Sequence, residues 1–245
     1  MTEFNPHQAF VEHMLRYTVR LVRNPTTPGA EGGIGSGVLL QRPAGLVLLT
    51  AGHNFDRPGA WTLETDIVVG RQTLMLPIPN PQRLLQVDLE TGESSNVDVA
   101  WARLGPRRLQ GAPEPKGEPI ALNVYLGPID GVPSAEHDYG FATYSRVELH
   151  ESVSTLLRDP AWEVEMTYEG VSQTGLHEFR LAGPHKGHDY YEGASGAPIA
   201  DETGQIVSIL VSGVEEENIV YGFPIHTVAE LIDATTATWD DAGDR

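Results

Sequence analysis

The sequence predicts an all-β protein built from two antiparallel β-barrels or sandwiches. Three observations favour this fold class. Many short runs rich in apolar and β-branched residues follow one another, each bounded by Gly, Pro, Asn or Asp. Helical periodicity occurs only near the two ends of the chain. A segment rich in Pro, Gly and charge, Arg107 to Pro119, separates two groups of these runs and is typical of a linker.

The first half of the chain begins with a short amphipathic helix, predicted around Pro6 to Leu15 in an N-terminal arm of residues 1–16. A first barrel is then predicted over residues 17–112. We assign five strands to it: YTVRLVR, GSGVLLQ, GLVLLTA, DIVVGR and VDVAWARL.

The second half, residues 113–245, is predicted to form a second barrel that ends in a helix. The helix is TVAELIDATTA, with apolar positions at Val228, Leu231 and Ile232, and we expect the acidic tail WDDAGDR to fray. We assign seven strands to this barrel: PIALNVYL, HDYGFATYSRVEL, WEVEMTYEG, EFRLAG, GAPIA, QIVSILVSG and NIVYGFPI.

Composition narrows the classes of function. The 245 residues are 40% apolar, enough for substantial cores, but no run of about 18 apolar residues predicts a membrane span, and the N-terminus does not resemble a signal peptide. The formal charge of -18 repels phosphate backbones, which argues against nucleic acid as a partner. The chain has no cysteine, which excludes disulfides and agrees with a reducing compartment, so we expect a cytoplasmic protein.

Three short segments carry residues that could work together in catalysis. In LVLLTAGHNF, a buried-strand pattern stops at two small residues and places His53 at the end of the strand, where a base could reach both a nucleophile and solvent. In NVDVAWARL, Asp98 lies in an otherwise apolar strand and requires a partner, such as a histidine N–H. In GASGAP, Ser195 is flanked by small residues, and the N–H groups of Gly193 and Ser195 could form an oxyanion hole.

Together these segments resemble the trypsin/chymotrypsin-like serine peptidases, in their bacterial, cysteine-free, intracellular branch. TAGH is similar to the histidine motif of that family, NVDVAWARL to its aspartate strand and EGASGAP to its serine loop, and the three occur in the family's order. The resemblance implies a double β-barrel and a serine endopeptidase with no cofactor. His53 would be the general base, Asp98 the orienting acid and Ser195 the nucleophile that forms an acyl-enzyme.

The resemblance also implies substrate-binding residues. Asp189, six residues before Ser195, occupies the position that selects Arg or Lys in trypsin-like members, although the bulky Tyr190 beside it and Val214 could fill that pocket. Ser212 matches a serine that backs the buried aspartate, and Ser212, Gly213 and Val214 would pair with the backbone of a protein or peptide substrate.

One departure from the family concerns activation. Secreted members carry an aspartate just before the serine, which pairs with a newly cut N-terminus, but this chain has Ala194. We therefore expect no activation by N-terminal cleavage, and we expect narrow specificity or dependence on an activating protein partner.

Other interpretations of these residues are possible but less favoured by the sequence. A trypsin-like fold that has lost activity and binds proteins is the main alternative, since an intact triad can be held inactive. An α/β-hydrolase is rejected, because its βα repeats are absent and the serine loop reads Gly-x-Ser-x-Ala. The order of serine, acid and histidine in that fold would leave only residues such as Asp201 and His226 in the last fifty positions. His185, His188 and Asp189 are too close together in one loop for ordinary zinc geometry, so no metal is expected. The turn Glu215 to Asn218 is expected to be a solvated hairpin tip.

Overall fold

The computed structural model describes residues 6–24, 32–43, 45–56, 58–69, 72–87, 94–104, 122–150 and 155–240. The predicted linker, Arg107 to Pro119, and the predicted boundary between residues 112 and 113 lie outside these ranges. No helix in the described part of the chain is long and apolar enough to cross a membrane.

The N-terminal half forms a seven-stranded antiparallel sheet that curves into a half-barrel, with the strand order β5-β4-β1-β2-β3-β7-β6. Helix α1 (Pro6–Tyr17) precedes it, and the Thr18 hydroxyl donates back to the carbonyl of Met14 at the point where the helix ends. The strands are β1 (Thr18–Asn24), β2 (Gly33–Arg42), β3 (Gly45–Thr50), β4 (Ala60–Val69), β5 (Gln72–Pro77), β6 (Gln82–Val87) and β7 (Ser94–Leu104).

The C-terminal half forms a closed six-stranded antiparallel barrel with the order β10-β13-β12-β11-β8-β9. Helix α2 (Ile225–Asp240) follows the last strand. The strands are β8 (Asp138–His150), β9 (Thr155–Val171), β10 (His177–Arg180), β11 (Pro198–Asp201), β12 (Ile206–Val214) and β13 (Ile219–Pro224). The prediction of an all-β, double-barrel fold with a helix near each end is therefore confirmed.

Three apolar clusters hold these elements together. One lies within the first sheet, around Leu21 and Leu48, and one lies inside the closed barrel, around Phe141 and Phe179. The third combines side chains from both sheets with the inner faces of both helices, including Met14, Leu40, Ile209 and Ile232. Because burial of apolar surface is the main favourable term in folding, this shared cluster fixes one sheet against the other.

The strand predictions fail at three places. Strands β5 and β6 were not predicted; they occupy the two edges of the first sheet and consist mainly of Gln, Leu and Met, which give a weak strand signal. The predicted strand PIALNVYL is wrong in its described part, residues 122–126, where only Tyr125 forms a bridge, to Leu40. This segment instead crosses from the first sheet to the second barrel, where the Tyr125 hydroxyl accepts from the N–H of Ile206.

Candidate active site

His53 is placed by the end of strand β3. Four buried residues, Val47 to Thr50, complete the strand, and the chain then turns into a short 3₁₀ helix, Gly52–Phe55. Gly52 is required at this turn, because a Cβ there would lie 2.9 Å from the backbone nitrogen of Val99 on strand β7. This close approach brings His53 against Asp98, the neighbour of Val99.

Two contacts join His53 to Asp98. The backbone N–H of His53 donates to Asp98 Oδ1 at 2.7 Å, and His53 Nδ1 lies 2.8 Å from Asp98 Oδ2. The carboxylate therefore fixes the position of the segment as well as the tautomer of the ring, with the proton on Nδ1 and Nε2 left as the acceptor. The two side chains are 40% and 38% exposed, so the pair is open to solvent.

The pair shifts both ionisation equilibria. The hydrogen bond to Asp98, helped by the charges of Asp98 and Asp56, raises the pKa of His53 above its ordinary value despite partial burial. Burial opposes ionisation of Asp98, but the bonds and charge of His53 and the N–H of Gly52 outweigh it, so the pKa of Asp98 is lowered. The imidazolium that forms when His53 accepts a proton is thus stabilised.

Ser195 belongs to the second barrel, yet its peptide is bound by the first sheet. Its carbonyl oxygen accepts from the N–H of Ser36 on strand β2 at 2.9 Å and from Asn54 Nδ2 at 2.9 Å. Asn54 directly follows His53 and also donates to the Thr50 hydroxyl. The Ser195 loop therefore lies against the segment that carries His53, where the two sheets face each other.

Ser36 and Asn54 were not singled out in the sequence. Ser36 lies in the strand segment GIGSGV, where glycines mark a close approach by another part of the chain. Its hydroxyl donates to the carbonyl of Gly193 at 2.7 Å and bonds to the Thr143 hydroxyl on strand β8. The repeated glycines were the available signal, but the partner across the interface could not be read from local sequence.

Two glycines shape the loop around Ser195. Gly193 has φ of +81° and Gly196 has φ of +93°, a region that side chains with a Cβ rarely adopt. At Gly196 a Cβ would also overlap the carbonyl oxygen of Ser36 and the hydroxyl of Thr50. The Gly196 N–H donates to the carbonyl of Leu210 at 2.7 Å, which ties the loop to strand β12.

The groups proposed to react with a substrate make few hydrogen bonds within the described part of the protein. Among the described residues, the N–H groups of Gly193 and Ser195 donate to no other group, as an oxyanion hole requires. Within the same part of the chain, Ser195 Oγ forms no hydrogen bond to His53 Nε2. Such bonds are often long without substrate and shorten in the reacting complex.

A cavity of about 240 Å³ opens beside Ser195. Its apolar lining comes from the interior of the second barrel, and its polar lining comes from the loop that precedes Ser195 and from strand β12. The lining residues are Phe141, His185, His188, Tyr191, Ala194, Ser195, Leu210, Ser212, Gly213 and Val220.

The structure brings only some of the predicted substrate-binding residues to this cavity. Ser212 and Gly213 line it, whereas Asp189, Tyr190 and Val214 do not. Asp189 is exposed. Tyr190 turns to strand β9, where its hydroxyl accepts from the N–H of Trp162 at 3.2 Å. The cavity wall is therefore built by His185, His188 and Tyr191 instead.

A buried carboxylate anchors that wall. Glu163 on strand β9 bonds to Lys186 Nζ at 2.7 Å and accepts from the Tyr191 hydroxyl at 2.7 Å. Lys186 also lies over the rings of Trp162 and Tyr190, 5.1 and 4.6 Å from their centroids. Burial and the neighbouring carboxylate raise the pKa of Tyr191. Sequence reasoning missed this cluster because nothing local links the two segments.

The two histidines of the loop that precedes Ser195 contact each other. His185 and His188 pack ring edge against ring face, with centroids 5.6 Å apart. No group of three or more His, Cys, Asp or Glu side chains within the described ranges is arranged to hold a metal ion.

Comparison with solved structures shows a likeness at the level of the fold. The sequence matches no protein-family model and no curated protein. The structure is similar to the crystal structure of a serine endoprotease from Yersinia pestis, with a TM-score of 0.55 and 13% sequence identity. The match covers 97% of this chain and 68% of that chain. At this identity the likeness shows the fold, a trypsin-like double β-barrel.

Proposed function

We propose that this protein is a serine endopeptidase that cleaves peptide bonds through an acyl-enzyme. The observation that carries the proposal is the convergence of His53, held by Asp98 through two contacts, with a Ser195 loop that Asn54 binds. The similarity of fold to a serine endoprotease supports the same conclusion.

In the proposed reaction, His53 Nε2 takes the proton of the Ser195 hydroxyl as Oγ attacks the carbonyl carbon of the scissile peptide. The N–H groups of Gly193 and Ser195 stabilise the resulting oxyanion. His53 then gives its proton to the leaving amine, and the C–N bond breaks. Water attacks the acyl-enzyme with His53 again as base, which releases the new carboxyl end and restores Ser195.

Strand β12 is proposed to bind the substrate backbone. The pairing of β11 with β12 ends at Ile209, while β13 continues along the other edge to Val214. Among the described residues, the edge of Ser212, Gly213 and Val214 that faces Ser195 has no strand partner. An extended substrate could therefore add to it as a further strand.

A fluorophosphonate probe tests the proposal, because it reacts with an activated serine. We expect labelling of the wild type at Ser195 and its loss in Ser195→Ala. Ser172→Ala, in the exposed turn between β9 and β10, is the matched control and should label as the wild type does. Equal labelling of Ser195→Ala would contradict the assignment of the nucleophile.

A binding module without activity is the second candidate. It is favoured by one observation, the missing hydrogen bond between Ser195 Oγ and His53 among the described residues. Failure of the wild type to label, with its fold intact, would support this candidate over the enzyme.

We also propose that activity requires a partner protein or a narrowly defined substrate, and that the enzyme acts in the cytoplasm. Ala194 supports the requirement for a partner or a narrow substrate, since the loop lacks the aspartate by which a cut N-terminus activates secreted relatives. Digestion of unfolded casein should be slow in the absence of other proteins. Rapid digestion of casein by the purified wild type would refute the requirement for a partner or a narrow substrate.

A further inference from the structure

The cavity beside Ser195 combines an apolar interior with histidine, tyrosine and serine side chains, and within the described part of the chain none of its lining side chains is a carboxylate. Phe141, Leu210 and Val220 provide the apolar surface. A lysine or arginine side chain would therefore lose its hydration here without gaining a direct ionic partner, which is costly. Glu163, near its wall, is already bonded to Lys186 and Tyr191.

One donor on the wall has a defined direction. His185 Nδ1 accepts the backbone N–H of Gly187 at 3.1 Å, so a neutral His185 carries its proton on Nε2. Nε2 lies on the side of Gly213, 3.5 Å from the point where a Cβ of residue 213 would be. Since Gly213 and His185 both line the cavity, glycine leaves the space in front of this donor open.

The ring of His185 is held in place and kept neutral. Tyr191 packs against it with a centroid separation of 4.6 Å, and the Tyr191 hydroxyl is occupied by Glu163. Burial lowers the pKa of His185, although the charges of Glu215, Glu163 and Glu216 oppose this shift. The wall thus presents an uncharged N–H donor, and those carboxylates disfavour a negatively charged ligand.

We propose that this cavity binds the substrate side chain that precedes the scissile bond and that it selects glutamine. His185 Nε2–H would donate to the side-chain amide oxygen, while the methylene groups of glutamine lie against Phe141, Leu210 and Val220. This inference rests on the proposed function. In it, His185 and not Asp189 selects the substrate side chain that precedes the scissile bond.

The test compares fluorogenic peptides that differ only at this residue. Methionine has nearly the shape of glutamine without a strong acceptor, glutamate replaces the amide by a charge, and arginine tests the alternative based on Asp189. We expect kcat/KM for glutamine to exceed that for methionine and for glutamate by about tenfold, the effect of one hydrogen bond in a desolvated site.

Two variants identify the donor. His185→Phe keeps a ring against Tyr191 but removes the N–H, and it should abolish the advantage of glutamine over methionine while methionine is cleaved as before. Gly213→Ala places a methyl group in front of Nε2 and should reduce the same ratio even if His185→Phe fails to fold. His137→Phe, an exposed histidine paired with Glu202, is the matched control and should leave the ratio unchanged.

The outcomes separate this inference from the proposed function. If the probe labels Ser195 but glutamine peptides are cleaved no faster than methionine peptides, or not at all, the inference is wrong and the function stands. Preferred cleavage after arginine, or an unchanged ratio in both His185→Phe and Gly213→Ala, would also overturn it. If Ser195 does not label, the proposed function fails as well.

Discussion

Replacement of Asp98 by asparagine should nearly abolish the proposed peptidase activity without disturbing the fold. In the wild type, Asp98 Oδ1 accepts from the N–H of His53 at 2.7 Å and Oδ2 faces Nδ1 at 2.8 Å. Asparagine can keep the first contact through its oxygen, but its amide nitrogen then faces Nδ1. Because that nitrogen donates, Nδ1 must become the acceptor, and the ring proton moves to Nε2, where it prevents His53 from taking the proton of Ser195.

The expected loss in kcat is about 10⁴-fold, equivalent to about 5 kcal/mol of transition-state stabilisation. The assay is the rate of peptide hydrolysis at pH 8, with the rate of fluorophosphonate labelling as a second readout. In the wild type the acid limb of kcat/KM should lie above pH 6.5, since Asp98 raises the pKa of His53, and residual activity of the variant should show a limb at lower pH. A loss of less than tenfold with unchanged pH dependence would refute this role for Asp98.

Three further predictions concern stability. The buried His177 has a pKa lowered to about 4 by burial and by the charge of His226, so its protonation favours the unfolded chain. Between pH 7 and pH 4 the free energy of unfolding of the wild type should therefore fall by about 3 kcal/mol relative to that of His177→Gln. Equal changes in both proteins, measured by urea titration, would contradict this. Gly196→Ala should cost at least about 2 kcal/mol, because the methyl group would overlap the first sheet at a left-handed φ; an unchanged melting temperature would argue against the loop geometry. Lys186→Met should lower the free energy of unfolding by about 2 kcal/mol, because it leaves Glu163 without its ion pair. Adding Glu163→Gln to the Lys186→Met variant should restore part of the lost stability, which calorimetry can show.

The parts of the site that could be predicted are those written in contiguous sequence. TAGH ends a buried strand, NVDVAWARL sets one carboxylate in an apolar strand, and GASGAP combines a serine with residues that permit positive φ. Each feature is a local consequence of strand burial or backbone freedom. Their order along the chain predicts a triad of His53, Asp98 and Ser195, and the structure joins His53 to Asp98 and places the Ser195 loop against Asn54.

The cavity wall could not be predicted in the same way. Its composition depends on how the segment between Pro184 and Gly193 folds, and that is decided by Glu163 on a distant strand. A buried carboxylate that binds Lys186 and Tyr191 turns this segment so that His185 lines the cavity while Asp189 faces solvent. Position relative to Ser195 along the sequence therefore did not place Asp189 in the cavity.

The edges of the first sheet illustrate a second limit on predicting strands from local sequence. Among the described residues, strands β5 and β6 pair on one side only, so their residues need not follow a strongly alternating or β-branched pattern. The segment at Tyr125 shows the opposite error, because apolar residues that resemble a strand instead cross between the two sheets. In both cases tertiary contacts override the local pattern.

Cleavage of a diverse peptide library, followed by mass spectrometry, tests the central claim most directly. The wild type should cut peptide bonds within the chain and leave a new carboxyl end at a restricted set of residues, and Ser195→Ala, purified in parallel, should make none of these cuts. Identical products from both proteins, or no product from a wild type that is folded, would contradict the account of Ser195 as the nucleophile of an endopeptidase.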